Sequence, residues 1–101
     1  NYEVTLSTEV LAAGAESALA FRITSSGQAV EQLDPYLGAL GHLVALREGD
    51  LAFLHVHPTG GAGAHLTFHA VFPSIGHYRL FLQFAHQGQV RTAVFTVEVS
   101  P

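Results

Sequence analysis

The sequence contains no cysteine and no methionine, so no side chain carries sulfur. Disulfide bonds, thiolate metal sites, iron–sulfur clusters and cysteine nucleophiles are therefore excluded, together with thioether ligands for Cu(I). The missing thiolate also excludes the copper–cysteine bond that defines blue-copper electron carriers. Any metal bound by this chain must be held by nitrogen and oxygen ligands.

Basic residues are also scarce. The chain has 4 Lys and Arg residues against 8 Asp and Glu residues, which gives a formal net charge of −4. Such a chain lacks the basic stripe that neutralises phosphates, so we predict no nucleic-acid partner. Charged residues, His or Gly interrupt every apolar run before it reaches the roughly 18 to 20 residues of a membrane helix, so we predict no membrane span within the chain.

The chain has instead a large apolar fraction and an excess of histidine. Hydrophobic residues make up 49% of its 101 residues and charged residues 12%, which is typical of one globular domain with a single core. Histidine, with seven residues, is the only over-represented residue type whose side chain can bind a metal ion or transfer a proton near neutral pH. Because the first residue is Asn and no leader-like segment precedes the folded pattern, we expect a processed or excised domain.

Apolar and polar residues alternate with a period of two along most of the chain, which predicts strands rather than helices. The clearest runs begin at Tyr2, Leu19, Leu66, Tyr78 and Val90, with turn residues between them. Seven to eight short strands at this spacing predict an all-β sandwich that occupies residues 1–101 as a single domain. The Gly-rich segment 58–64 is predicted to be a mobile loop.

A predicted hairpin around Glu48-Gly49 brings histidines together on adjacent strands. A two-residue loop and a four-residue loop both give the register in which His42 faces His55. His57 lies two residues beyond His55, so it shares that face and is diagonal to His42. Three imidazoles are therefore predicted to converge.

Three converging imidazoles can place their ring nitrogens about 2.0 to 2.1 Å from one ion and leave a fourth position open. Neutral imidazole suits Cu(II), Zn(II) and Ni(II). The proline after the last of these histidines places the cluster at the rim of the sandwich. In the alternative interpretation, the imidazoles only hydrogen-bond to the backbone and cap a core built from Val44, Leu46, Leu51 and Phe53.

The remaining histidines carry weaker signals. His86 shares the parity of the core-facing Phe84, so it is either a fourth ligand at the same end of the sandwich or a turn residue in solvent. His65 and His69 are four residues apart on one strand, roughly 13 Å, which is too far to share an ion. We predict that both are surface residues and that His77, which has no obvious partner, is solvated.

Two further polar residues precede the strand that carries His42. Asp34 and Tyr36 form a corner that could orient an imidazole, although ordinary turn chemistry at Asp34-Pro35 is the favoured interpretation. Catalytic motifs are otherwise absent, since no nucleophile elbow, phosphate loop, dinucleotide fingerprint or paired-carboxylate pattern is present. A metal-dependent hydrolase is a minority interpretation because no Glu follows the histidine motif as a general base. We predict that the chain is not an enzyme.

Four segments carry a resemblance to a known group of proteins. They are residues 34–38 (DPYLG), 41–44 (GHLV), 50–58 (DLAFLHVHP) and 72–81 (FPSIGHYRLF). Over about residues 2–99 the chain resembles the immunoglobulin-like or cupredoxin-like domain of bacterial, especially actinobacterial, secreted and membrane-anchored proteins. This FixH-like/YtkA-like class is often found beside heavy-metal-binding modules.

The resemblance implies an immunoglobulin-like or cupredoxin-like sandwich in a secreted, periplasmic or membrane-tethered setting. Its Gly-His and His-x-His-Pro segments fall on His42, His55 and His57, and the segment around His86 also resembles the actinobacterial members. We therefore predict a domain that sequesters or delivers Cu(II), or secondarily Zn(II), through these four residues, with an envelope protein or metal transporter as partner. The alternative is an immunoglobulin-like structural or interaction module of the bacterial envelope that binds no metal.

Overall fold

The structure is a computed structural model that describes residues 2–8, 10–30, 33–34, 41–49, 53–62 and 65–101; within 53–62 it describes the backbone and the side chain of Val56. Nine strands lie in these residues: β1 (Tyr2–Ser7), β2 (Leu11–Ala12), β3 (Glu16–Ser25), β4 (Gln28–Ala29), β5 (Gly41–Arg47), β6 (Phe53–Ala62), β7 (His65–Val71), β8 (Gly76–His86) and β9 (Gln89–Ser100).

Eight of the described strands follow one continuous path in the order β1-β3-β7-β6-β5-β8-β9-β2, and β4 pairs with β3 beside it. The path folds into two sheets because β6 pairs with β5 through its first half and with β7 through its second half. The prediction of an all-β sandwich is confirmed. The predicted turn at Gln87-Gly88 is also confirmed, and both of its residues have the positive φ of a two-residue type I′ hairpin.

The strand order is that of the immunoglobulin sandwich rather than a generic one. That fold places strands A, B, E and D in one sheet and C, F and G in the other. Here β1, β3, β7 and β6 take the first four positions, and β5, β8 and β9 take the other three. Near the start of β8, the Tyr78 hydroxyl donates a hydrogen bond of 3.0 Å to the backbone carbonyl of Ser74. This contact is the tyrosine corner that accompanies the immunoglobulin order.

The core lies between the two sheets and follows the alternation of the sequence. Leu80, Leu82 and Phe84 of β8 are at most 1% exposed and face Phe21 and Phe68 of the other sheet in the same buried cluster. The rings of Phe21 on β3 and Phe68 on β7 meet edge to face, with ring centroids 5.8 Å apart. The predicted inward positions of β7 and β8 are therefore confirmed.

Strand β5 presents the opposite face to the core from the one predicted. Leu43 and Ala45 are fully buried, whereas His42, Val44 and Leu46 are half-buried on the outer face. The prediction that Val44 and Leu46 form core layers is wrong, while Leu51 and the side chain of Phe53 lie outside the described residues. The strand is apolar on both faces, so its pattern alone does not say which face turns inward.

Strand β6 is longer than the sequence predicts. The prediction of a mobile loop at 58–64 is wrong as far as Ala62, because Gly61 and Ala62 pair with Leu66 and His65 on β7. Residues 63 and 64 lie outside the described part of the chain. The ladder contains a bulge just after Pro58, a feature that bends a strand and increases its twist. Pairing with β7 gives these glycines backbone partners that their composition does not indicate.

Candidate metal site

The β5–β6 hairpin pairs in a register shifted by two residues from the predicted one. Val44 pairs with His55 and Leu43 pairs with Val56. The prediction that His42 is the cross-strand neighbour of His55 is therefore wrong. The pair nearest the turn joins Leu46 to Phe53, while residues 50–52 of the connection lie outside the described part of the chain.

A shift of two residues changes the partners but keeps each position on its face. His42 and Val44 belong to the outer face of β5, and the pairing of Val44 with His55 assigns position 55 to that face as well. One further step along the same register, beyond the Leu43–Val56 pair, leads from His42 to position 57. His42 and His57 each lie one residue beyond the last observed β5–β6 pair, and His42 does not pair with His55.

At residue 57, β6 leaves the β5 ladder and joins β7. His57 pairs with His69, whose neighbours Phe68 and Ala70 are buried while His69 itself is exposed on the outer face. Three consecutive strands in space, β5, β6 and β7, thus carry histidines at adjoining register positions. His69 is a surface residue, as predicted, but the sequence pattern does not indicate its pairing with His57. That pairing depends on the continuation of β6 past Pro58 along β7.

Packing beneath His42 holds β5 close to β7. Gly41 is buried, and a β-carbon at that position would lie 2.8 Å from Cδ1 of Leu66 on β7. The absence of a side chain at Gly41 therefore lets the two strands approach each other on the inner side. On the outer side His42 pairs with Gln83 of β8, whose amide lies 3.5 Å from the hydroxyl of Thr92 on β9. His42 thus ends a polar row that crosses this sheet.

His86 lies on the other face of the same sheet. Its Nδ1 is hydrogen-bonded to the hydroxyl of Tyr2, and the two rings meet edge to face with centroids 5.4 Å apart. His86 shares the inward parity of Phe84, whereas Gln83, the partner of His42, faces outward. The structure does not bring His86 to His42. Its contacts tie β8 to β1 of the opposite sheet instead.

A comparison with models of protein families assigns the chain to one family. The family model described as "Domain of unknown function (DUF8832)" matches residues 1–101. The chain belongs to this family. The match spans every strand described above, so the sandwich is the fold of a DUF8832 domain. No curated protein matches the chain.

Asp34 has a structural role in this DUF8832 domain. Its carboxylate accepts a hydrogen bond of 2.9 Å from the backbone N–H of Gly88, and its own N–H donates to the carbonyl of Ala85 at 2.8 Å. The two bonds anchor the turn between β8 and β9, which is distant in sequence, whereas the predicted local turn at Asp34-Pro35 includes a residue outside the described part of the chain. Tyr36 lies outside the described residues.

The last two histidines differ from His69 in their surroundings. His65 is exposed as predicted, and its pairing partners are Arg22 on β3 and Ala62 on β6. His77 is also exposed as predicted, but the interpretation that it has no partner is wrong, because its Nε2 lies 3.9 Å from a carboxylate oxygen of Glu98. An exposed pair of this kind contributes little to stability.

Among the described residues, no group of three or more His, Asp or Glu side chains is placed to hold a metal ion. That set leaves out the side chains of both histidines of β6, for which only the backbone register is known. The described part of the domain also contains no helix that is long and apolar enough to cross a membrane.

Proposed function

We propose that this domain binds a divalent transition metal, Cu(II) or Zn(II), through imidazoles on the outer face where β6 passes from one sheet to the other. The observation that carries the proposal is the register of β6. Val56 of β6 pairs with Leu43, the residue after His42 on β5. The next residue of β6, His57, pairs with β7 instead. This register supports the proposal because it places histidines of adjacent strands at adjoining backbone positions.

The chemistry fits this spacing. Cross-strand neighbours have Cβ atoms about 4.5 to 5.5 Å apart, and two imidazoles can turn from such positions toward one ion at about 2.0 to 2.1 Å. Diagonal neighbours are about 7 to 8 Å apart, so His55 is the more distant candidate in the observed register. We leave His86 out of the ligand set because its Nδ1 is already bonded to Tyr2 on the other face.

We base the proposed cellular location and biological role of the domain on its sequence resemblance rather than on its fold. The resemblance to secreted and membrane-anchored bacterial domains supports an extracytoplasmic role in metal sequestration or delivery. A surface site suits that role, since imidazoles at an exposed strand can exchange an ion with solution or with a partner. The partner we propose is an envelope protein or a metal transporter.

One observation favours the second candidate, an interaction module without metal. Val44, Phe81 and Val94 pair in a row across the outer face of β5, β8 and β9, and Val94 is 53% exposed. Aligned apolar side chains on an outer face are a feature of protein contact surfaces. This candidate does not require the histidines.

Metal titration of protein purified without a His-tag separates the two candidates. The proposal expects about one Cu(II) or Zn(II) ion per chain by calorimetry or elemental analysis, with the ion lost on chelation. The His42→Ala/His57→Ala double variant should fail to bind it while keeping the far-ultraviolet circular dichroism of a β-protein. Absence of binding by the unaltered domain would favour the interaction module.

A further inference from the structure

We infer that His69 is a ligand of this site, so that the ion is held between β6 and β7 by His57 and His69, with His42 from β5 as the third imidazole. This inference rests on the proposed function and names a ligand that the His-x-His motif does not contain. With His69 as a ligand, the site draws its imidazoles from three strands, β5, β6 and β7, rather than from the β5–β6 hairpin alone.

The pairing of His57 with His69 is the first argument. It is a direct register pair of an antiparallel ladder, whereas His42 and His57 are related by one further step beyond the last β5–β6 pair. Direct antiparallel partners share a face, and their Cβ atoms lie about 4.5 to 5.5 Å apart. Within the proposed ligand set, the observed backbone pairing therefore fixes the positions of His57 and His69 relative to each other more closely than those of His42 and His57.

The surroundings of His69 are the second argument. His69 is exposed, so its ring can turn toward an ion without first leaving the core. Its partner on the other side is Ala18 of β3, which is small, uncharged and exposed. No cationic side chain therefore pairs with His69 from either neighbouring strand, and an approaching metal ion meets no direct cross-strand repulsion.

His65 provides an internal contrast. It is the same residue type on the same strand and the same exposed face, four residues from His69. Its partners are Arg22 and Ala62, a cation and a methyl group, instead of a second imidazole. The fold thus distinguishes two histidines that the sequence pattern treats as equivalent.

Single variants of the complete domain test the inference. Zn(II) and Cu(II) affinities would be measured by competition with a chromophoric chelator for His69→Ala, His65→Ala, His57→Ala and His42→Ala. Loss of a supporting residue outside the ligand set already lowers metal affinity 10- to 100-fold, so loss of a ligand should cost at least about 10-fold. We expect that loss for His69→Ala, His57→Ala and His42→Ala, and a change of less than about 2-fold for His65→Ala.

The outcomes separate the inference from the proposed function. If His69→Ala binds as tightly as His65→Ala while His57→Ala is impaired, His69 is not a ligand and the metal site itself stands. If neither His57→Ala nor His42→Ala lowers affinity, the proposed function fails and the inference fails with it. Circular dichroism and thermal unfolding of each variant distinguish ligand loss from unfolding, and both substituted residues of β7 are on its exposed face.

Discussion

His57 on β6 pairs with His69 on β7 at the point where β6 has just left the β5 ladder. The pair therefore stands where the two sheets of the sandwich join, beside the strand that carries His42. Sequence spacing connects His57 only with His55, two residues away. In the fold His57 pairs with His69, and it lies one residue beyond the pair that joins β6 to the strand of His42, so the candidate site depends on where β6 passes between the two sheets.

The metal affinity should depend steeply on pH. An imidazole must be neutral to bind a metal ion, and the ordinary pKa of a free histidine side chain is about 6.5. Protons therefore compete with the ion as the pH falls from about 7.5 to 5, and the slope of log affinity against pH should approach the number of histidine ligands. Competition titrations at several pH values measure this slope. An affinity that does not change with pH would point to carboxylate ligands instead.

Removing the hydroxyl of Tyr78 should destabilise the sandwich. The Tyr78 ring is 1% exposed, and its hydroxyl bonds to the Ser74 carbonyl at 3.0 Å and lies 3.2 Å from the Ser74 hydroxyl. Tyr78→Phe leaves these groups without that partner, which should lower the free energy of unfolding by about 1 to 3 kcal/mol. Urea unfolding followed by circular dichroism measures the change.

Tyr2→Phe is the matched control for that variant. The Tyr2 hydroxyl bonds to His86, but the ring is only half-buried, so water can replace the lost partner. The edge contact with Phe84 and the stacking of the Arg91 guanidinium, 4.1 Å from the ring centroid, do not need the hydroxyl. We expect a loss of about 0.5 to 1.5 kcal/mol and an unchanged metal affinity. A fall in metal affinity would return His86 to the ligand set.

A side chain at Gly41 should disturb the contact between β5 and β7. The added methyl group of Gly41→Ala would lie 2.8 Å from Cδ1 of the buried Leu66, so either the Leu66 side chain must move within the packed core or one of the two strands must shift. Overpacking of this kind costs about 1 to 3 kcal/mol, offset in part by the lower unfolded-state entropy of alanine.

A second substitution tests the origin of that loss. Leu66→Val removes the δ-carbons that the new methyl group meets, so the double variant should be more stable than the sum of the two single losses predicts. Thermal unfolding of the four proteins completes the cycle. Strictly additive losses would show that the Gly41 effect comes from elsewhere than Leu66.

The parts of the fold that the sequence predicts are those with strict alternation. In β7 and β8 most of the inward residues are large and apolar while most of their neighbours are polar or small, so the pattern indicates the inward face, as at Leu66 and Phe68. In β5 both faces are apolar, and the pattern does not show that Leu43 rather than Val44 turns inward. The choice is made by neighbours distant in sequence, since Leu43 pairs with the buried Val56 and Leu82.

The candidate site could be predicted only in part for the same reason. The His-x-His motif and the strand of His42 are local features, and they indicate imidazoles on one face. The register depends on the connection between β5 and β6, and the partner of His57 depends on a Gly-rich segment that becomes a strand by pairing with β7. Both are long-range effects, which local propensity does not report. The sequence pattern therefore does not connect His69 with the His-x-His motif, although His69 pairs with His57 of that motif in the fold.

The metal site itself is tested by titrating the tag-free domain and the His42→Ala/His57→Ala double variant with Zn(II) and Cu(II). We predict about one ion per unaltered chain and no stoichiometric binding by the double variant, with both proteins folded by circular dichroism. Equal binding by the two proteins, or none by the unaltered domain, would contradict this prediction.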